Sequence, residues 1–257
     1  MELRSFIEEI AVKAGEITLK YFKSPDLRIE TKANSTPVTQ ADQEAERYVR
    51  EQIRKHFPND SIIGEEYGEE LTRSNRRWII DPLDGTKTFM RGVPFYGTLI
   101  ALEEGDTVTH GCIGLPALNE MVYAERGKGC FWNNKRCHVS GTNTIEEATL
   151  VTTDDARLSE KISQSRHQEL IREAKLWRSW GDCYGYALVA TGRADGMLDP
   201  AGAIWDLAPM SVIIDEAGGC YSSFAGEKTI RGGDMICSNP ALFGTLQAIT
   251  ASAQQEF

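Results

Sequence analysis

Trp78-Ile79-Ile80-Asp81-Pro82-Leu83-Asp84-Gly85-Thr86 sets an apolar, β-branched burst directly before two aspartates and a glycine. The apolar half predicts a buried strand. Proline cannot donate to a ladder, so the strand is expected to end at Asp81, and Asp84-Gly85 to turn the chain sharply. Two carboxylates three residues apart at a strand mouth, with a free carbonyl at Leu83 between them, suit a small oxygen-loving cation such as Mg²⁺. Their mutual repulsion opposes such an arrangement, and a bound cation reverses that sign. Gly85-Thr86, entering a helix, offers backbone N–H groups to an anion and a hydroxyl to orient water. These are the parts of metal-assisted phosphoryl transfer. On spacing alone, a plain D-x-x-D-G turn remains the alternative.

Around this segment the chain reads as alternating helical pairs and short strands. Residues 3–22 place Leu3, Phe6, Ile7, Ile10, Ala14, Ile17 and Tyr21 at three- and four-residue intervals, an amphipathic helix. A polar stretch, TKANSTPVT, predicts a loop or short hairpin. Thr39 then opens a second helix, with Asp42 as its capping-box partner. After Pro58 come apolar bursts at 61–64, 78–80, 98–102, 108–114 and 120–124, the last two forming a hairpin about 116–119. A strand is expected at 150–152 and another at 196–198. Helices are expected at 159–174, 184–192, 205–217 and 240–250. Paired helices and antiparallel groups of strands predict an α+β fold of stacked layers rather than a doubly wound sheet.

Composition narrows the function. The 257 residues are 41% hydrophobic and 26% charged, with no long apolar run, so a globular chain without a membrane span is expected. The start, MELRSFIEEIAVKAG, carries acids inside its apolar pattern and is expected to be neither a secretory signal nor a transit peptide, which points to the cytoplasm. A net charge of −10 argues against nucleic acid and leaves carboxylate cages for hard cations as a reading of the acids. The six cysteines contain no C-x-x-C pair, so buried free thiols are expected rather than zinc or redox motifs. The four histidines are scattered, and no serine, cysteine or histidine stands in a convincing nucleophilic setting.

Two further acidic segments accompany the first: Gly64-Glu65-Glu66 after an apolar strand, and Ile204-Trp205-Asp206 opening an apolar helix. GEE (64–66), WIIDPLDGT (78–86) and WD (205–206), in this order, resemble the magnesium-dependent inositol monophosphatase family. The likeness extends to V-T-x-A-D at 38–42 and E-A-G-G at 216–219, almost the whole chain. The resemblance implies a layered αβαβα sandwich. It also implies one phosphatase domain over 1–257, in two lobes meeting near 145–180, and hydrolysis of small phosphomonoesters with two or three Mg²⁺ ions. Carried over by position, Glu65, Asp81 and the Leu83 carbonyl hold a first ion. Asp81, Asp84 and Asp206 hold a second, with Glu65 reaching a third. Glu65 and Thr86 activate water, the Gly85 and Thr86 amides hold the phosphate, and Lys32, Asp42 and Glu66 support the site from outside. A homodimer is implied as well.

Lys87 departs from the small hydroxyl residue that inositol enzymes commonly carry after D-G-T. The stretch 86–94, TKTFMRGVP, with GTLIAL at 97–102 and GDCYGY at 181–186, resembles the histidinol-phosphatase branch. Histidinol phosphate, an intermediate of histidine biosynthesis, carries an ammonium and an imidazole. Asp182 and Tyr184 suit it by charge pairing and cation–π contact. Lys87 and Arg91 fall in the same candidate substrate site. Asp199 stands where inositol enzymes place a hydroxyl-binding acid. Asp182 as a simple helix cap is the competing reading. The alternatives for function are an inositol-1-monophosphatase and a non-catalytic metal-binding protein on the same fold.

Overall fold

The computed structural model describes residues 2–32 and 35–251. Ala33 and Asn34, within the expected loop, lie outside the described residues. The chain opens with α1 (Leu3–Tyr21), a small hairpin of β1 (Ile29–Thr31) and β2 (Pro37–Thr39), and α2 (Gln40–His56). An eight-stranded sheet follows, built from β3 (Ser61–Gly64), β4 (Gly68–Glu70), β5 (Arg76–Asp84), β6 (Gly97–Glu104), β7 (Thr107–Leu115), β8 (Glu120–Glu125), β9 (Gly129–Trp132) and β10 (Lys135–Arg136). The short helix α3 (Thr86–Met90) interrupts it. The strand order is β10-β9-β8-β7-β6-β5-β3-β4, antiparallel throughout except for β3 beside β5.

The second half forms a five-stranded mixed sheet. It contains β11 (Thr149–Thr152), α4 (Asp155–Lys161), α5 (Gln164–Glu173), β12 (Leu176–Arg178), α6 (Asp182–Ala190) and β13 (Gly196–Asp199). It closes with α7 (Ile204–Glu216), β14 (Cys220–Ser222), β15 (Met235–Ser238) and α8 (Pro240–Ala251). Its order is β12-β11-β13-β15-β14, with β11 parallel to both β12 and β13.

Strand side chains alternate between faces, and this alternation builds the layers. Trp78, Ile80, Ile100 and Leu102 point to Phe6, Ile7, Ile10, Val49 and Ile53 of α1 and α2. The intervening Ile79, Leu99 and Ala101 point the other way, to α6 and α7. Those two helices also cover Val151, Met197 and Cys237 of the second sheet. Leu150, Leu198 and Ile236 on its far face meet Leu158, Leu170, Leu242 and Leu246 of α4, α5 and α8. The result is αβαβα. Gly111 of β7 lets α7 sit close, since a Cβ there would fall 2.5 Å from the Pro209 carbonyl.

Three local expectations are corrected. The strand at 78–80 does not end at Asp81. It runs on to Asp84, because the ladder with β6 shifts register between Asp81 and Asp84. Pro82 falls in that irregularity, where its missing N–H costs no ladder bond, and its carbonyl accepts from Thr98 Oγ1 at 2.9 Å. The helix expected over 159–174 is two helices, parted at Ile162-Ser163, where Ser163 caps α5 by accepting from Arg166 N. The helix expected from 184 begins at Asp182, with Gly181 as its N-cap residue. All six cysteines are free thiols. No helix among the described residues is long and apolar enough to cross a membrane.

Candidate metal and phosphate site

The middle layer and the first sheet bring the acids together. Asp81 shares the parity of Ile79 and so faces α7, whose third residue is Asp206. Asp206 is held at that helix start by accepting the Ala203 N–H at 2.7 Å. Asp84, past the irregularity, accepts the Cys183 N–H at the start of α6. Asp81, Asp84 and Asp206 each offer a carboxylate oxygen, and the three oxygens lie within 4.8 Å of one another. None of the three forms an ion pair with a lysine, arginine or histidine among the described residues.

This crowding is visible in the acidities. Burial, and then the charges of Glu65, Asp84 and Asp206, push the Asp81 carboxyl well above its ordinary range. Burial and the charges of Asp182 and Asp206 do the same to Asp84. Asp206 is pushed up to about 7, mainly by burial, with Glu65 adding to it. Three mutually opposed carboxylates offering only oxygen form a donor set that fits a hard divalent cation. The Leu83 carbonyl, between Asp81 and Asp84 in sequence, lies 3.2 Å from Thr86 Oγ1.

The helper groups stand around this cluster in two pairs. Lys32, at the end of the β1 strand, donates from Nζ to Glu65 at 2.8 Å and to Glu66 at 2.7 Å. Its ammonium is held above its usual range: burial opposes the charge, and the two carboxylate hydrogen bonds outweigh it. Glu66 is pushed up to about 7 by burial, against the lowering effect of Lys32. On the other side, Thr86 donates from Oγ1 to Asp42 at 3.1 Å and lies 3.2 Å from the Leu83 carbonyl. Asp42 also accepts the Thr39 N–H at 2.9 Å, completing the capping box of α2. Burial raises Asp42 to about 6, so at neutral pH it is an ionised acceptor. Gly85 takes φ +83, a left-handed conformation open to glycine, and a Cβ there would lie 3.2 Å from both Asp182 Oδ2 and the Phe95 carbonyl.

Next to the Gly85 turn is a cavity of about 520 Å³, lined by Lys87, Thr88, Arg91, Phe95, Trp180 and Asp182 among others. The structure therefore brings together three of the expected substrate residues, Lys87, Arg91 and Asp182. Asp182 adopts φ +48, unusual for a residue with a side chain. It accepts from Thr88 Oγ1 at 3.3 Å and donates its own N–H to Thr153 Oγ1 at 3.0 Å. The N-cap residue of α6 is its neighbour Gly181. Burial raises the Asp182 carboxyl. Tyr184 stacks face to face on Phe95, with centroids 4.3 Å apart and planes at 2°, and so borders the cavity through that ring. Asp199 does not line this cavity, although the charges of Asp206 and Asp182 reach it. It is 4% exposed, accepts from Tyr186 at 3.0 Å and is pushed up to about 7 by burial. A separate cavity of about 590 Å³ runs along α1 beside Pro116 and Tyr123, and none of the motif acids lines it.

The sequence profile of the inositol monophosphatase family matches residues 1–256. The chain belongs to the inositol monophosphatase family. A histidinol-phosphatase of Chlorobaculum parvum is 41% identical to it over 96% of this chain and 96% of its own. An inositol-1-monophosphatase of Rhizobium meliloti is 32% identical over 96% of this chain and 95% of its own. The crystal structure of extragenic suppressor protein suhB from Bartonella henselae shares the fold with a TM-score of 0.91 at 29% identity, covering 97% of this chain and 98% of that one. Membership makes the chain a phosphoric monoester hydrolase of a typically metal-dependent family, and the acidic cluster is where a metal would be held.

One supporting residue escaped the sequence reading. Glu46, a turn of helix beyond Asp42, is fully buried and accepts the backbone N–H groups of Glu66 at 2.8 Å and Tyr67 at 3.2 Å. In sequence it is one more acid on a charged helix. The only available signal was its i, i+4 spacing to Asp42 on the same face.

Proposed function

We propose that the chain hydrolyses L-histidinol phosphate to L-histidinol and phosphate, with Mg²⁺ as its metal. The observation that carries this reading is the placement of Asp182 between the Gly85 turn and a cavity lined by Phe95 and Trp180. A phosphate seated at the Gly85–Thr86 backbone would put its ester group at that cavity. There a carboxylate meets an ammonium and aromatic faces meet an imidazole. The higher identity to a relative named histidinol-phosphatase than to one named inositol-1-monophosphatase supports the same choice. So does the engagement of both Asp199 oxygens, by the Tyr186 hydroxyl at 3.0 Å and the Ala201 N–H at 3.4 Å, which leaves fewer lone pairs for a substrate hydroxyl.

When bound, two or three Mg²⁺ ions held by Glu65, Asp81, Leu83, Asp84 and Asp206 would neutralise phosphate charge and acidify water. The chain's own groups do the orienting. Thr86 spends its proton on Asp42 or the Leu83 carbonyl, so its lone pairs are free to accept from a water molecule. Glu65, paired with the Lys32 ammonium at 2.8 Å, is the second acceptor. Water adds to phosphorus and gives up a proton to Glu65, the phosphorus–oxygen bond to the alcohol breaks, and the departing oxygen takes up a proton from solvent, so one proton is released and one consumed. Homodimerisation, which the family resemblance implies, and a cytoplasmic setting belong to the same reading.

The test is phosphate release with Mg²⁺ from histidinol phosphate, inositol 1-phosphate, fructose 1,6-bisphosphate, 3′-phosphoadenosine phosphate and a generic aryl phosphate. Histidinol phosphate should lead in kcat/KM by roughly tenfold or more. A lead for inositol 1-phosphate overturns the substrate assignment. Absence of metal-dependent hydrolysis across the whole panel, aryl phosphate included, overturns the catalytic one.

A further inference from the structure

Helix α2 carries two fully buried carboxylates one turn apart, Asp42 and Glu46, on the face toward the site. Asp42 takes the hydroxyl of Thr86. Glu46 takes the other side. Its Oε2 accepts the Glu66 N–H at 2.8 Å, and its Oε1 accepts the Tyr67 N–H at 3.2 Å. Arg50, 3% exposed, completes the group by donating from Nε to Glu46 Oε1 at 2.7 Å and from Nη2 to the Gly68 carbonyl. The glycine that opens the GEE segment belongs to the same device: a Cβ on Gly64 would lie 2.1 Å from Glu46 Oε1. The turn between β3 and β4 has one further backbone tie, from Glu65 N–H to the Ile80 carbonyl at 3.2 Å.

We infer that Glu46 is a positioning residue that sets the Glu65–Glu66 turn against the cation site, so that α2 aligns both water-orienting groups, Thr86 through Asp42 and Glu65 through Glu46. The inference rests on the reading of the acidic cluster as a divalent-cation site. The physical reason is geometric. Glu65 raises both Asp81 and Asp206 by its charge, so it lies beside the cluster. Its reach is set by where its backbone turns. A buried carboxylate gripping two successive N–H groups fixes that turn as a capping residue fixes a helix start. Outer groups that orient ligands change metal affinity without touching the metal.

Mn²⁺ serves as the probe, with free ion followed by electron paramagnetic resonance in titrations of the full chain and no substrate present. The variants are Glu46→Gln, Glu46→Asp and, as a control for burial alone, Glu103→Gln. Glu103 is equally buried and paired with Arg77 and Arg231 on another part of the sheet. Thermal unfolding is measured alongside. Glu46→Gln should weaken Mn²⁺ binding about 10- to 100-fold, whereas Glu103→Gln should lose melting temperature and bind Mn²⁺ as the unaltered chain does. Glu46→Asp keeps the charge beside Arg50 and so preserves folding, but withdraws the oxygens from the turn; it should show a smaller shift in the same direction. Unchanged Mn²⁺ affinity in a folded Glu46→Gln, or in Glu46→Asp if the glutamine variant does not fold, overturns the inference and leaves Glu46 a structural staple. An unaltered chain that binds no Mn²⁺ overturns the cation site and the inference together.

Discussion

Glu103 on β6 and Asp81 on β5 lie on paired strands of one sheet, 0% and 2% exposed, yet their surroundings are opposite. Glu103 accepts from Arg231 Nη2 at 2.8 Å on one oxygen and forms an ion pair with Arg77 Nε at 3.1 Å through the other. Asp81 has a hydrogen bond from the Leu83 N–H at 2.9 Å and otherwise faces acids. Burial of a carboxylate is expensive in both places. At Glu103 the molecule offsets it internally. At Asp81 it leaves the charge uncompensated, and an external cation is what the geometry awaits. A buried acid with its own arginines holds the fold, and a buried acid among acids marks the site.

The largest effect should come from breaking this contrast in both directions. Asp81→Asn should reduce kcat/KM by on the order of 10²–10³-fold or more, while the metal-free protein melts at the same temperature or higher, since a neutral group relieves repulsion. Glu103→Gln should do the reverse. It leaves Arg231 without a carboxylate and Arg77 with only the exposed Asp106 at 3.7 Å, and because both arginines reach solvent the loss should be about 3 kcal/mol, the low end for a broken buried pair. That is a fall in melting temperature of roughly 10 °C, with kcat within about twofold of the unaltered enzyme. The two residues lie four positions apart along the ladder, about 13 Å. Similar profiles for both variants would remove the distinction.

The same contrast explains how much could be read in advance. Asp81, Asp84 and Asp206 were legible because each sits at the edge of a hydrophobic run, Asp81 and Asp84 where one ends and Asp206 where one begins. The layers were legible from the pairing of helices, the antiparallel grouping of apolar bursts such as 78–80 and 98–102, and the period of α1. Glu46 and Glu103 were not legible. Each lies among other charged residues, in QEAER and ALEE, and only tertiary packing buries it. The continuation of β5 through Pro82 was also hidden, because it depends on a register shift set by β6 rather than on local preference. The break at Ile162-Ser163 carried a local signal, a serine at an N-cap, outweighed by the polar helical pattern on both sides. Asp182 was legible as an acid beside aromatics. Its turn toward Thr88 was not, since that needs Gly181 packed against Thr153.

A smaller effect should sharpen the reading of Asp182 itself. Asp182→Asn keeps the shape and tolerates the positive φ, since asparagine visits that region readily. An oxygen remains to accept from Thr88. Losing the charge removes a charge-assisted hydrogen bond of about 1.5–3 kcal/mol. For histidinol phosphate kcat/KM should fall roughly 10- to 150-fold, mainly in KM if the amine is held equally in ground and transition states. An aryl phosphate without an amine should scarcely respond. Equal losses on both substrates would make Asp182 a general support of the Gly85 turn, and no loss on either would remove it from recognition.

The smallest effect is on stability, and it separates acids that await a cation from those that do not. Asp42 is raised to about 6 and Asp199 to about 7, each mainly by burial, from an ordinary value of 3.8. Between pH 4 and 7 the folded chain therefore binds more protons than the unfolded one, and stability falls as pH rises through that window. The metal-free protein should melt higher at pH 6 than at pH 8, by on the order of 5 °C, corresponding to a few kcal/mol. Saturating Mg²⁺ at pH 8 should recover much of the difference contributed by the cage, because a cation binding only the folded state stabilises it by mass action. It should leave most of the contribution of Asp199 in place, since burial, ahead of the Asp206 charge, is the larger cause of its raised carboxyl. Asp199→Asn should consequently flatten part of the pH dependence whether or not Mg²⁺ is present. Asp81→Asn should flatten only the metal-sensitive part. A melting temperature that rises from pH 6 to pH 8 in the metal-free chain would show that these acids are not held protonated by burial, and the account of the cage as an uncompensated cluster would fail with it.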